Sequence, residues 1–194
     1  MGKRPERERG KSIKNGTQLS YSSSSCYRKT RQKIKKALQK TKNTQKTLKC
    51  SEIINLLNCV PNFLGCFAQN SIDSLFLHNL PCTFLVNIDS SNEPGSHWIV
   101  LALFEDSIEV FDPLGFKFYN WQSVPCNLLT FIHSEANLKK LYVSPQLQPL
   151  SSNLCAYYCM YFVVERAYRS FQSITATFSS PCKNDDLLFS SLFN

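Results

Sequence analysis

The sequence predicts an α+β fold, and three observations carry that reading. Strand-forming apolar runs cluster in the middle of the chain, at 82–88, 97–104 and 107–112. A long apolar helix pattern follows at 153–169. Helical spacing also marks stretches on either side of these elements. Strands with helices on both flanks build a sheet against which helices pack.

The first 49 residues stand apart. They hold sixteen Lys/Arg against Glu6 and Glu8, about +14. Residues 50–194 hold six Lys/Arg against twelve Asp/Glu, about −6, so the overall +8 conceals a basic tail on a mildly acidic globule. The tail is rich in Ser, Thr and Gln and poor in large apolar residues. It is expected to stay a disordered leader, because it buries too little surface to offset its ordering entropy. Its part from 28 to 49 tolerates helix and is expected to form one when bound.

The domain is expected to span 50–194. Ser51 is read as the N-cap of a short helix through Leu57. Pro61 and Gly65 mark a loop. The strands at 97–104 and 107–112 flank the polar pair Glu105-Asp106, which predicts an antiparallel hairpin. A helix at 127–133 and a strand at 138–144 follow. Asn153 is read as the N-cap of the main helix, which is apolar almost all round in its first turns and therefore buried. Residues 184–193 read as a terminal helix.

Nine cysteines, an odd number at irregular spacing, do not form a disulfide framework. No apolar segment follows the charged opening ten residues, so no signal peptide is expected. The longest apolar run, 154–164, is too short to span a bilayer. An intracellular, reducing location with free thiols is the expectation.

Four residues offer the parts of a thiol nucleophile site. Cys155 falls in the first turn of the buried helix, where unpaired N–H groups and the helix dipole favour a negative sulfur. His97 opens a strand just after the turn Glu93-Pro94-Gly95 and supplies a base. Asp112 ends the next strand before Pro113, placed to accept the Nδ1 proton of the histidine. Gln148, seven residues before Cys155, offers an amide for an oxyanion, with the Cys155 N–H as second donor. Each also has a plain structural reading: a core cysteine, an ordinary histidine, a turn aspartate, an exposed loop glutamine. Cys159 reads as packing rather than as a metal ligand. His78 and His133 have weaker surroundings.

Taken together, the segments Pro61-Asn-Phe-Leu-Gly65, Gly95-Ser-His-Trp98, Phe111-Asp-Pro-Leu-Gly-Phe116 and Gln148-Pro-Leu-Ser-Ser-Asn-Leu-Cys155 followed by Ala-Tyr-Tyr-Cys159 resemble the adenovirus-type maturation proteases, the adenains. These share a clan with the ubiquitin-like-protein proteases. The resemblance covers more than half of the chain. It implies a papain-like fold, with a mostly antiparallel sheet packed on the helix that carries the nucleophile. It implies His97 as base, Asp112 as orienting acid, Cys155 as nucleophile, Gln148 as oxyanion donor and Trp98 as a wall of the cleft. No cysteine lies between His133 and Gln148, so the family's disulfide-linked activating peptide is not implied. Related proteases also occur in Polinton or Maverick-type transposons, which a basic leader suits.

The expected function is a cysteine endopeptidase acting on viral or transposon structural precursors, in the host nucleus and the virion. No metal or organic cofactor is required. DNA is the expected polyanion partner and activator, bound nonspecifically by the basic leader. Ile13-Lys14-Asn15-Gly16 faintly resembles a cleavage sequence. A monomer is expected. The alternatives are a protease that removes a ubiquitin-like modifier, or a catalytically silent DNA-binding or capsid-associated protein.

Overall fold

The computed structural model describes residues 24–41, 47–75, 79–115, 124–137 and 139–192. His78, Phe116 and the Ile13–Gly16 stretch lie outside them.

A five-stranded sheet runs in simple sequence order: β1 (Phe63–Ala68), β2 (Cys82–Asn87), β3 (Trp98–Leu103), β4 (Ser107–Phe111) and β5 (Lys140–Val143). The two inner pairings are antiparallel and the two outer ones parallel. The β3–β4 hairpin turns at Glu105-Asp106, as the sequence predicts. Successive strand residues face opposite sides, and here both sides are covered. Leu85, Trp98, Val100, Ala102 and Phe111 face one core, while Phe84, Val86, Ile99, Leu101, Ile108 and Val110 face another. That is why β3 reads as a continuous apolar run rather than as an alternating one.

On the first face lies α4 (Cys155–Arg166), all but its last residue buried. Phe162 stacks on Phe111 at 4.4 Å. Arg166 grips buried Glu109 of β4 with two bonds, of 2.6 and 2.9 Å. Helix α2 (Cys50–Leu57) inserts Ile53 and Leu57 beside it. On the second face, α3 (Cys126–Ala136) contributes Leu128, Phe131 and Ile132, and a 3-10 turn at Gln69–Ser74 contributes Ile72. Two short helices, α5 (Phe171–Thr175) and α6 (Pro181–Leu187), close the chain with a π turn at Leu188–Leu192.

The structure corrects the part of the leader from 24 to 41. Residues Ser24–Thr41 form α1, packed against α4 within the core. Thr30, Ile34, Leu38 and Thr41 line its buried face. The sparse apolar residues of this basic stretch recur at helical spacing, and that stripe was enough to dock it. Charge assists: Arg31 meets the buried Glu165 carboxylate of α4 at 2.6 Å, and the Tyr27 hydroxyl donates to the same oxygen.

Smaller differences concern caps and one strand. Lys49, not Ser51, caps α2, and the Glu52 carboxylate accepts the Lys49 N–H at 2.8 Å. Leu154, not Asn153, precedes α4. The segment after Pro61 is strand, not loop. Gly65 sits there at φ +126, where the register of β1 slips against β2. A bulge of this kind accepts the residue that reads as a turn signal.

Candidate active site

His97 and Asp112 meet because of the hairpin. Antiparallel pairing of Val100 with Phe111 sets the beginning of β3 beside the end of β4. His97 immediately precedes β3, and its carbonyl accepts the Ile88 N–H at 3.1 Å. Asp112 immediately follows β4. The two side chains join at 2.7 Å, between His97 Nε2 and Asp112 Oδ1. Both are almost fully buried, at 4% and 1% exposure.

The aspartate engages Nε2, not the Nδ1 expected from the sequence. Spacing alone fixes which residues meet but not the rotation of the ring. Nδ1 is thereby left for the sulfur of Cys155, with which His97 shares a side-chain hydrogen bond.

Asp112 is itself held rigidly. Its Oδ1 also accepts the Leu114 N–H at 2.9 Å. Ser144, the residue after β5, bonds both its backbone groups: Asp112 N–H donates to Ser144 Oγ at 2.8 Å, and that hydroxyl donates to the Asp112 carbonyl at 2.7 Å. Ser144 is buried and was not singled out in the sequence. A serine after a short strand carries no signal until the parallel β4–β5 pairing brings it to Asp112.

The same turn delivers Gln148. The Pro113 carbonyl accepts the N–H groups of both Leu147 and Gln148 at 2.8 Å. Gly115 permits this approach: it lies at φ +76, and a Cβ there would stand 2.6 Å from Gln146 N. Gln148 is 1% exposed, so the exposed-loop reading fails. Its Nε2 donates to the Ser152 carbonyl at 2.7 Å. An amide nitrogen carries two protons, so a second N–H remains. Its Oε1 is buried with no partner among the described residues.

Cys155 is the first residue of α4 and is 5% exposed. The first N–H groups of a helix have no acceptor within it and point out of its end, toward an incoming negative charge. Electrostatics favour a charged imidazole facing this sulfur. Burial works against the charge on His97. The hydrogen bonds to Asp112 and Cys155, with their negative charges, outweigh it and push the imidazole up to about 9. At neutral pH the ring therefore holds its proton between a carboxylate and a sulfur.

The remaining candidates are structural. Cys159, one turn along α4, is fully buried and donates to the Trp98 carbonyl at 3.2 Å. Burial raises it well above the ordinary thiol range, so it pins α4 to β3 as a neutral group. No cluster of metal-ligating side chains occurs among the described residues. Trp98 is buried against the α4 side of the sheet, and its indole N–H donates to the Leu48 carbonyl at 3.3 Å. His133 is exposed on α3.

A cysteine at the start of a buried helix thus shares one site with a histidine and an aspartate on adjacent strand ends, within a mixed five-stranded sheet covered by helices. No family model and no curated protein matches the chain. Among solved structures it is similar to the SUMO protease Ulp1 with its catalytic cysteine oxidised to a sulfenic acid. That match has 11% identity over 92% of this chain and all of the other, with a TM-score of 0.37. The C-terminal Ulp1 protease domain in complex with Smt3, the yeast orthologue of SUMO, matches at 14% identity. It covers 86% of this chain and 96% of that one, with a TM-score of 0.39. The central domain of an uncharacterised Legionella pneumophila protein matches at 14%, over 67% and 84%, with a TM-score of 0.38.

Proposed function

We propose that the chain is a thiol endopeptidase whose nucleophile is Cys155. The observation that carries this reading is the buried relay from Cys155 through His97 to Asp112. The Cys155 thiolate attacks the scissile carbonyl, and the carbon–sulfur bond forms as the carbonyl oxygen takes the negative charge. The free N–H of Gln148 and the Cys155 backbone N–H receive that oxygen. The intermediate collapses, the C–N bond breaks, and the His97 imidazolium gives its proton to the leaving amine. Neutral His97 then takes a proton from water, whose oxygen displaces the sulfur and releases the acid. Asp112 keeps the ring oriented throughout.

The substrates are extended polypeptides. The motifs shared with the adenains favour structural precursors cut during assembly of a virus or related element, in the host nucleus and the particle. We also propose that DNA activates the enzyme, a monomer, through α1. Arg28, Lys29, Lys33, Lys36 and Lys40 all face solvent on that helix. Such a contact is nonspecific and weakens steeply with salt.

The test is incubation of the full chain with capsid-type precursors and, separately, with conjugates of a ubiquitin-like modifier, with and without DNA. Cleavage of the precursors that is lost in Cys155→Ala supports the reading. Release of the modifier instead assigns the same site to deconjugation. Failure of an electrophilic thiol probe to label Cys155 ahead of the other eight cysteines overturns the enzymatic reading altogether.

A further inference from the structure

Two thiols outside this site lie side by side where α1 joins the domain. Cys26 is in the first turn of α1, and Cys59 sits in the turn between α2 and β1. Cys26 Sγ donates to the Cys59 carbonyl at 3.3 Å, across a sequence separation of 33. Cys59 Sγ donates to Asn58 Oδ1 at 3.2 Å, and the Cys59 thiol lies near enough to Cys26 to raise it. Both border a shallow cavity with Tyr27, Val164 and Tyr168. Cys59 is exposed and Cys26 partly so, which lets a reagent in water reach them. The chain has a second adjacent pair, Cys50 and Cys66, but burial, then the neighbouring Cys50, raises the Cys66 thiol far above its ordinary range and keeps it protonated.

We infer that Cys26 and Cys59 are a redox-responsive pair that closes into an intrachain disulfide and locks α1 onto the domain when a small disulfide oxidant, such as oxidised glutathione, is present. Exposed Cys59, as thiolate, attacks one sulfur of the oxidant, and one glutathione thiolate leaves. Cys26 then attacks the Cys59 sulfur of the mixed disulfide, and the second glutathione leaves. The two protons lost by the protein end on the two glutathiones. Before the first step burial, then the Cys59 thiol, raises Cys26, while Thr30 and Lys33 lower it. Capping Cys59 removes its raising contribution, so that burial alone is left to oppose Thr30 and Lys33 when Cys26 attacks in the second step.

The bond would join the start of α1 to the far side of α2. The other anchors of α1, Arg31 on Glu165 and Thr41 on Tyr157, then cannot separate independently. Closing a loop of this size also restricts the unfolded chain. The inference concerns the docking of α1 and does not depend on Cys155 being a nucleophile.

The experiment treats the full chain with oxidised glutathione, alkylates the remaining thiols and maps the peptides without reduction. A Cys26–Cys59 cross-link is expected. The oxidised protein should melt about 5 to 10 °C higher, and dithiothreitol should reverse the shift. Neither cross-link nor shift should occur in Cys59→Ser or Cys26→Ala. Glutathione left attached to either residue, alkylation of both, or an equal shift in Cys59→Ser would overturn the pair. A cross-link with no thermal shift would overturn the lock.

Discussion

Thr41, the last residue of α1, shares a 2.6 Å hydrogen bond with the hydroxyl of Tyr157, two residues beyond Cys155 on α4. The Thr41 hydroxyl also donates to the Ala37 carbonyl, so it accepts from Tyr157. A second link runs from the Trp98 indole, beside His97, to the Leu48 carbonyl. The N-terminal segment thus supports both elements that carry the site. Replacing Thr41 by Val keeps the shape and strands a buried tyrosine hydroxyl. The expected loss is about 1 to 3 kcal/mol in urea unfolding, with kcat reduced more than KM is raised.

The charge state of His97 gives a pH prediction. Its folded value, about 9, lies above the ordinary 6.5. Protonation therefore favours the fold in full below pH 6.5, and that contribution is lost as pH rises through about 9. Two opposed causes set the value, burial lowering it and the Asp112 and Cys155 bonds raising it. Asp112→Asn and Cys155→Ala each remove a raising cause. NMR titration should find the His97 ring titrating near 9 in the parent protein and markedly lower in both variants. The alkaline fall of kcat/KM should move to lower pH in Asp112→Asn. An unmoved His97 titration in Cys155→Ala would separate the sulfur from the ring.

In the proposed mechanism Gln148 acts only as negative charge develops on the substrate. Gln148→Ala should lower kcat by about 100- to 1000-fold with little change in KM. Gln148→Glu offers carboxylate oxygens where an N–H is needed and should be no better. Steady-state kinetics on one peptide decides it.

Ser144 is offered as a positioning residue: its hydroxyl bonds the Asp112 N–H and carbonyl, and its own N–H donates to the Val110 carbonyl. Ser144→Ala leaves the Asp112 N–H and carbonyl without their partner. It should cost about 1 to 3 kcal/mol and lower kcat, with Ser144→Thr restoring most of both. A merely structural role would leave the His97 titration unchanged; a positioning role shifts it downward.

Much of this was legible in the chain because some features are local. The strand runs at 82–88, 97–104 and 107–112, the polar turn at 105–106 and the apolar helix after 153 all announce themselves within a few residues. His97, Asp112 and Cys155 each stand next to an element end, and Gln148 joins them through the resemblance carried by the 148–155 segment. What escaped depends on pairing at a distance. β1 was hidden by Pro61 and Gly65, which read as a loop until β2 supplies its partner. Ser144 matters only through the β4–β5 pairing. α1 looked like a solvated tail because sixteen basic residues dominate the first 49. Its docking rests on a thin stripe of Thr30, Ile34, Leu38 and Thr41, and on one carboxylate more than a hundred residues away. The Nε2 contact of His97 was beyond reach for a different reason: a ring's rotation is settled by packing, not by spacing.

That carboxylate, Glu165, supports the last prediction. It is 5% exposed, and its side chain holds Arg31 at 2.6 Å, the Tyr27 hydroxyl at 2.6 Å and Arg169 at 3.5 Å. Burial first, then the hydrogen bond to Glu165, pushes Tyr27 up to about 12, so the phenol remains a donor at any ordinary pH. Glu165→Ala removes the acceptor that the partly buried Arg31 guanidinium and the Tyr27 phenol share. The cost should be about 3 to 5 kcal/mol. Arg31→Ala should cost less, because Tyr27 and Arg169 still satisfy the carboxylate. The loss should fall first on α1, the element held by these bonds, before the sheet is affected. α1 carries many Lys and Arg residues, so trypsin reports its state directly. Parent protein should resist cutting between 28 and 40, whereas Glu165→Ala should be cut there while the fragment from about residue 50 onward persists. Simultaneous loss of both regions would mean that α1 and the sheet unfold as one unit.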